Sequence, residues 1–401
     1  MCSLSDVVWR GHSVTDHTHM LPSARGLGIA TLYDGTQRYD CGLLLWCASA
    51  RALATKMPAA LQPADVVLIS PRPHADCNGS LTVWPAGLHS ATKQYSRRLV
   101  RLQAAIYKNT SRDPSRSLRR DYFLVGTMMK MAIFSLEQHS LVLFADLDVD
   151  LLPRRVLHVG VPFDVGAFER ATNAFLSSRS WIVGAPDPLS PINAGLLLAK
   201  PRMRLFAQIV ELLQHNVSFD PQLGYNGIGQ PRALLRKGRI DLGMLECGSG
   251  APRKTVLRLL ERALRRDAWT FAGASIDQGF IWWLFFLVHQ RGTWAERMGT
   301  YGPAHFWGAV KPWRPSALGQ GARNLTVAYL WRLAELGSSD KSNVSPGSSK
   351  CRGLLEDIKE RLQRERSWFE PTPATLQAAN LGWLNTSRCL HCILPSPNIA
   401  A

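Results

Sequence analysis

Apolar residues along this chain come in short blocks separated by turn residues, and the spacing within each block sorts it into strand or helix. Residues 28–33 (GIATLY) predict a buried strand ending at the turn Asp34-Gly35, and residues 39–53 follow with helical apolar spacing. Residues 65–70 (DVVLIS) predict a second strand, closed by Pro71. Strand, helix, strand opens a βαβ unit, so the pattern predicts an α/β fold: a mixed, mainly parallel sheet flanked by helices. Residues 72–120 are mixed and increasingly basic, with a helix and a solvated loop over 96–120. An apolar helix pattern then spans 121–137 and runs through Lys130. Residues 141–145 (LVLFA) are a strand without a polar position, as expected of one buried on both faces. Two more strands are predicted at 181–185 and 195–199, with the turn-rich APDPLSPIN between them. Further on lie a helix at 205–215, glycines at 224, 227 and 229, a basic helix at 256–266, a hydrophobic helix at 276–288 and a compact loop at 304–313. A Gly/Ser-rich linker at 337–349 precedes a charged amphipathic helix at 354–368 and a tail.

Composition narrows the reading. With 401 residues, 46% hydrophobic and 19% charged, the chain can bury a full core, which excludes wholesale disorder, collagen and a simple coiled coil. Lys and Arg outnumber Asp and Glu by 47 to 30, so the net charge of +17 favours polyanionic or phosphorylated partners. The longest apolar runs, 280–288 and 42–50, are about half the ~20 residues needed to span a bilayer, so no transmembrane segment is expected. The first 24 residues are polar and lack the apolar stretch of a signal peptide, which reads as a soluble, cytoplasmic start. Against that, six of the eleven asparagines (78, 109, 216, 324, 343, 385) sit in N-x-S/T. Random placement would give about one or two, so the excess points to a Golgi or other secretory lumen. The eight cysteines are scattered; Cys389 and Cys392 alone form a C-x-x-C, which reads as a free or locally bridged pair.

The sharpest chemical feature is LVLFADLDVDLLP, residues 141–153, where an apolar strand runs into Asp146, Asp148 and Asp150. Open α/β sheets bind ligands at the C-terminal ends of their strands, and neighbouring carboxylates there suit Mg²⁺ or Mn²⁺, which would in turn hold a diphosphate. The plain alternative is a strand followed by an acidic, solvated turn. His305, in PAHFWGAVKPW, could complete an Asp/Asp/His site, with Lys311 as a point charge for phosphate and Gly308 permitting close backbone approach. Beside Phe306 and Trp307 it could equally be a packed histidine. Asp277-Gln278 opens an aromatic helix, where the acid could simply favour the helix dipole. Lys130 could snorkel, and Asn193 could be a turn residue.

Taken in order, these segments resemble the retaining glycosyltransferases of family 8, the glycogenin and galactosyltransferase group with the GT-A fold. ATLY with the following Tyr39 is similar to the family's first strand and uridine-contacting tyrosine. KMAIFSLEQHSLVLFAD has its spacing from lysine to D-x-D, INAGLLLAKP looks like its F-N-x-G strand, SIDQGF like its D-Q-G segment, and HFWGAVKPW like its H-F-x-G-x-x-K-P-W loop. The resemblance spans about residues 27–315. It implies a GT-A domain there with an acceptor-side insertion at 201–275, a polar segment 1–26, a linker at 316–349, and a C-terminal helix and tail at 350–401. It further implies Mn²⁺, with Mg²⁺ as a substitute, on Asp146, Asp148 and His305. Leu32 and Tyr39 would border the uracil, Gly308 and Lys311 the β-phosphate, and Lys130, Asn193 and Asp277 the sugar hydroxyls. Gln278 would lie beneath the anomeric carbon. The partners implied are a UDP-sugar donor and a carbohydrate, lipid or protein acceptor. The interval between Asn193 and Asp277 is some fifty residues longer than in compact members of the family.

Two other classes compete. A haloacid-dehalogenase-like Mg²⁺ phosphatase also places D-L-D-V after an apolar strand, but it needs a later acidic pair, and no Asp-Asp occurs in this chain. A nucleic-acid-binding protein would suit the charge, but the basic residues spread over 97–120, 232–266 and 352–366 without an RNP or zinc-finger pattern, so nucleic acid is not the expected partner.

Overall fold

The computed structural model describes residues 26–35, 40–107, 126–147, 149–151, 165–184, 190–227, 269, 271, 273–294 and 304–305. At its centre stands a seven-stranded sheet. In chain order the strands are β1 (Leu27–Leu32), β2 (Ala64–Ile69), β3 (Leu81–Val83), β4 (Leu141–Ala145), β6 (Ile182–Gly184), β7 (Leu196–Ala199) and β10 (Gly292–Trp294); across the sheet the order is β10-β6-β7-β4-β1-β2-β3. β5 (Val149–Asp150) pairs with β11 (Ala304–His305), and β8 (Phe219–Asp220) with β9 (Gly224–Tyr225), in separate two-stranded ribbons. β1 is parallel to β2 and β4, β2 to β3, and β6 to β10, whereas β7 runs antiparallel to both β4 and β6. Six strands therefore point one way and β7 opposes them, the mixed and mainly parallel α/β class that the pattern predicts.

The period-2 alternation of strand side chains divides the core into two layers. From β1, β2, β4 and β7, Ala30, Val67, Ile69, Val142, Phe144, Leu197 and Ala199 face one cluster, which also holds Phe134, Trp282 and Phe285. Leu27, Ile29, Val66, Leu68, Leu141, Leu143, Leu196 and Leu198 face the other, under helix α1 (Asp40–Ala54) and helix α3 (Val165–Ser177). The first layer is roofed by α2 (Ala86–Tyr107) and α4 (Met203–Glu211). In the second, Cys47 on α1 is bonded to Cys77, with 5.5 Å between their Cα atoms and thirty residues of separation. A closed loop of that size stabilises a fold by about 3–4 kcal/mol in the chain-entropy picture. Nothing in the scattered cysteines foretold this pair.

Three segments differ from expectation. Gly126–Ser135, within the apolar helix expected at 121–137, is a 3-10 helix in which Met128 to Phe134 are all buried. The predicted helix at 276–288 is α5 (Asp277–Ile281) followed by a π-helical turn (Trp282–Val288), in which five consecutive residues from Trp282 to Phe286 are buried. The helix expected within 96–120 begins ten residues earlier, at Ala86. The predicted basic helix at 256–266, the linker and the C-terminal helix lie outside the described residues.

His289 follows the π turn and tilts against Trp181, with ring centroids 4.9 Å apart, and its buried Nε2 has no hydrogen-bond partner among the described residues. Burial first, then the charge of Arg291, lowers its pKa from 6.5 to about 4. Between those values the unfolded chain binds a proton that the folded one refuses, so stability falls as the pH drops. We expect acidification from pH 7 to 5 to cost on the order of 1–2 kcal/mol through this residue. Urea unfolding at both pH values should show a shallower pH dependence in His289→Gln; an unchanged slope would exclude His289 as the source.

Candidate active site

Strand direction decides where a site can form. The connections from β1 and from β4 leave the sheet at the same edge, and β1 and β4 are neighbours although β2 lies on the far side of β1. This is a topological switch point, where open α/β sheets form a crevice at the carboxyl ends of their strands. Asp146 is the first residue beyond β4 and Leu32 the last of β1. Because β7 is reversed, its beginning lies beside the end of β4: Ala145 is in register with Leu196, and Asp146 N–H donates to the Gly195 carbonyl at 2.8 Å.

Lys130 organises this edge. Its Nζ is 3.0 Å from Asp146 Oδ1 and donates to Asp146 Oδ2 at 3.1 Å; it also donates to the Ala194 carbonyl at 3.2 Å and lies 2.9 Å from Asp277 Oδ2. An ammonium has three N–H groups, and three segments far apart in sequence take them. The side chains of Lys130 and Asp277 are 5% and 6% exposed, against 32% for Asp146, so the inner pair is dry while the Asp146 carboxylate faces outward. Burial alone would lower the lysine's pKa, but the two carboxylates outweigh it and hold the pKa above its usual value. The Nζ also lies 5.3 Å from the Phe144 ring centroid. Lys130 therefore does not snorkel to solvent.

Asp277 is held from behind. Tyr95 Oη, on α2, donates to the Ser275 carbonyl at 2.6 Å, and Tyr225 Oη, on β9, donates to the Ile276 carbonyl at 3.2 Å, with the two hydroxyls 3.2 Å apart. Burial raises the pKa of both phenols, so both stay protonated as donors. Asp277 Oδ1 accepts the Gln278 N–H at 2.9 Å, leaving Oδ2 to Lys130. Gly279 completes the turn, because a Cβ there would stand 1.7 Å from the Ala274 carbonyl oxygen. Neither tyrosine stood out in the sequence. They are 130 residues apart, and no local pattern marks a buried hydroxyl that serves a distant carbonyl.

The structure gives the remaining expected residues these places. Asn193 is buried, and its Oδ1 accepts the Gly195 N–H at 2.7 Å, so that oxygen shapes the entry into β7 as an Asx turn. Gln278 is half-buried, its side chain beside Gly273. Leu32 is partly buried at the rim of the first core layer. His305 stands opposite Val149 in the antiparallel β5–β11 ribbon, a pairing that brings the two Cα atoms to about 4.5–5.5 Å. The backbone at 305 is thus next to the segment that follows Asp146. Tyr39, Asp148, Gly308 and Lys311 lie outside the described residues, as does the side chain of His305. Among the described residues no three His, Cys, Asp or Glu side chains converge in a metal cluster. What is described at this edge is a carboxylate a third exposed, at the carboxyl end of a parallel strand, followed at once by a strand paired with position 305.

No family model and no curated protein matches the chain by sequence. Among solved structures it is similar to the galactosyltransferase LgtC in complex with donor and acceptor sugar analogs, over 81% of this chain and 99% of that one, at 11% identity and a TM-score of 0.36. Mouse xyloside xylosyltransferase 1, in its apo form, matches over 47% of this chain and 72% of its own, at 11% identity and a TM-score of 0.26. The apo glycosyltransferase GlyE of Streptococcus pneumoniae matches over 81% and 66%, at 12% identity and a TM-score of 0.25. Likeness at these identities and scores decides nothing about the reaction, which has to be read from the site itself.

Removing Lys130 tests the site as a unit. Lys130→Met leaves a dry Asp277 carboxylate without its counter-charge and should cost about 3–5 kcal/mol in urea unfolding. Adding Asp277→Asn to it should cost less than the sum of the two single changes, because the second removes the charge that the first stranded. Additive losses would show that the pair is not coupled.

Proposed function

We propose that this chain is a retaining glycosyltransferase of the family 8 kind, moving a hexose from a UDP-sugar to a carbohydrate, lipid or protein acceptor with Mn²⁺. The observation that carries the reading is the buried Lys130 joining Asp146 and Asp277 at the switch point between β1 and β4. That cluster puts one outward carboxylate and one dry carboxylate at the edge where a nucleotide would lie. Asp146, Asp148 and His305 would hold the cation, which when bound supplies positive charge against the diphosphate of the leaving nucleotide.

The chain's own residues do the rest. Leu32 and Tyr39 border the uracil, and Lys311 with the backbone at Gly308 meets the β-phosphate, so that charge is countered where it develops. The dry Asp277 carboxylate accepts from a sugar hydroxyl, and Gln278, next in sequence, lies beneath the anomeric carbon. Lys130 acts at one remove, since its N–H groups are taken by Asp146, Ala194 and Asp277. It fixes the two carboxylates before the donor arrives, so little reorganisation is left for the reaction itself. Asn193 likewise contributes through the turn it makes.

A panel of UDP-sugars with Mn²⁺, followed by UDP release, is the direct test. We expect one hexose donor to be hydrolysed or transferred, and Asp146→Asn, Asp148→Asn and His305→Ala each to lose roughly two or more orders of magnitude, the scale of removing a group that stabilises developing charge. Mn²⁺ together with UDP should raise the melting temperature of the unaltered chain. Near-normal turnover in Asp148→Asn and His305→Ala would overturn the metal assignment. The absence of both turnover and a thermal shift across the panel would overturn the transferase reading.

A further inference from the structure

Two observations outside the site point to the same chemical environment. The first is the Cys47–Cys77 bond, whose cysteines are 0% and 2% exposed, in the core layer beneath α1. The second is where the described N-x-S/T asparagines lie. Asn78 immediately follows Cys77, is exposed, and sits in a turn closed by Asn78 N–H to the Ala75 carbonyl and Ser80 N–H to the Cys77 carbonyl, with Gly79 at a φ of 80°. The Arg51 guanidinium, in the last turn of α1, donates to the Asn78 carbonyl, so this acceptor lies at the end of the helix that leads back toward β2, away from Asp146. Asn216 is the exposed last residue of the turn Leu212–Asn216, and the chain leaves it in extended conformation at Val217. Among the described residues neither side-chain amide makes a hydrogen bond, whereas Asn193 and Asn226 spend theirs on the backbone. A glycan on either asparagine would displace no side-chain hydrogen bond among the described residues.

We infer that the mature protein carries N-linked glycans on Asn78 and Asn216 and a Cys47–Cys77 disulfide, the two modifications of an oxidising, glycosylating lumen. In the first, the amide nitrogen bonds to the anomeric carbon of an oligosaccharide and loses a proton, as the bond from that carbon to a polyprenyl diphosphate carrier breaks. In the second, the two thiols give two electrons and two protons to a disulfide donor by exchange, and that donor is reduced to a dithiol. The excess of N-x-S/T over the whole chain, six of eleven asparagines, is what repeated use of this modification would leave. The inference is independent of the reaction proposed above.

The test uses the full-length protein isolated from the cells that make it, with thiols alkylated at lysis. Half is digested without reduction, to find a peptide linking Cys47 to Cys77. The rest is treated with an N-glycosidase in heavy-oxygen water, which converts a glycan-bearing asparagine to labelled aspartate. A linked 47–77 peptide with label at Asn78 and at Asn216 is the expected result. Alkylated thiols at 47 and 77, or an unlabelled asparagine at either site, would overturn the inference.

Discussion

A charged amine kept out of water between two carboxylates holds the carboxyl edge of this sheet together. Desolvating such a cluster is expensive, and its attraction offsets that cost only when every N–H finds an acceptor. Lys130 meets the condition with Asp146, the Ala194 carbonyl and Asp277. A hydrophobic residue of similar size could fill the space, but it could not fix the relative positions of the end of β4, the entry to β7 and the start of α5. The cluster keeps one negative charge in excess, and that charge is on the side that meets solvent, at Asp146.

The reversed strand makes this meeting possible. In a wholly parallel sheet the neighbour of β4 would present its end beside Asp146, followed by a connection leaving the edge. Because β7 runs the other way, the residues leading into it, Asn193 to Gly195, are brought there instead, and the Gly195 carbonyl takes the Asp146 N–H. The Asx turn at Asn193 then aims the Ala194 carbonyl at the ammonium. One antiparallel pairing in a mainly parallel sheet thus supplies a backbone acceptor that no side chain had to provide.

The sequence discloses the centre of this arrangement better than its surroundings. β4 was legible to the residue, since LVLFA has no polar position and both of its faces are buried. β1, β2 and β7 were legible to within a residue or so for the same reason. β3 and β10 were not. They are three-residue strands, and Leu81 is 41% exposed, so neither offers the apolar run or the alternation that marks a strand. Lys130, Asp146 and Asp277 were each visible as charged residues in apolar surroundings, which is costly enough to need a reason. Their mutual contact was not anticipated: the resemblance gave Asp146 to a cation and Lys130 and Asp277 to sugar hydroxyls, and the distant Lys130–Asp277 pairing leaves no periodic trace. The Cys47–Cys77 bond was hidden because eight scattered cysteines leave the pairing open.

Tyr225 ties a ribbon distant in sequence to the Lys130 cluster. It lies within the long segment between Asn193 and Asp277, at the second strand of the β8–β9 ribbon, yet its hydroxyl reaches the Ile276 carbonyl directly before Asp277. The ribbon is itself tightly constrained. Gly224 has a φ of 75°, and a Cβ there would overlap the Trp269 indole at 2.1 Å, while Tyr225 stacks on Trp283 with ring centroids 5.4 Å apart. A displacement of the ribbon would therefore be felt at the carbonyls of 275 and 276, and from them at the aspartate that shares Lys130. The ribbon is thus built into the support of the aspartate that shares Lys130.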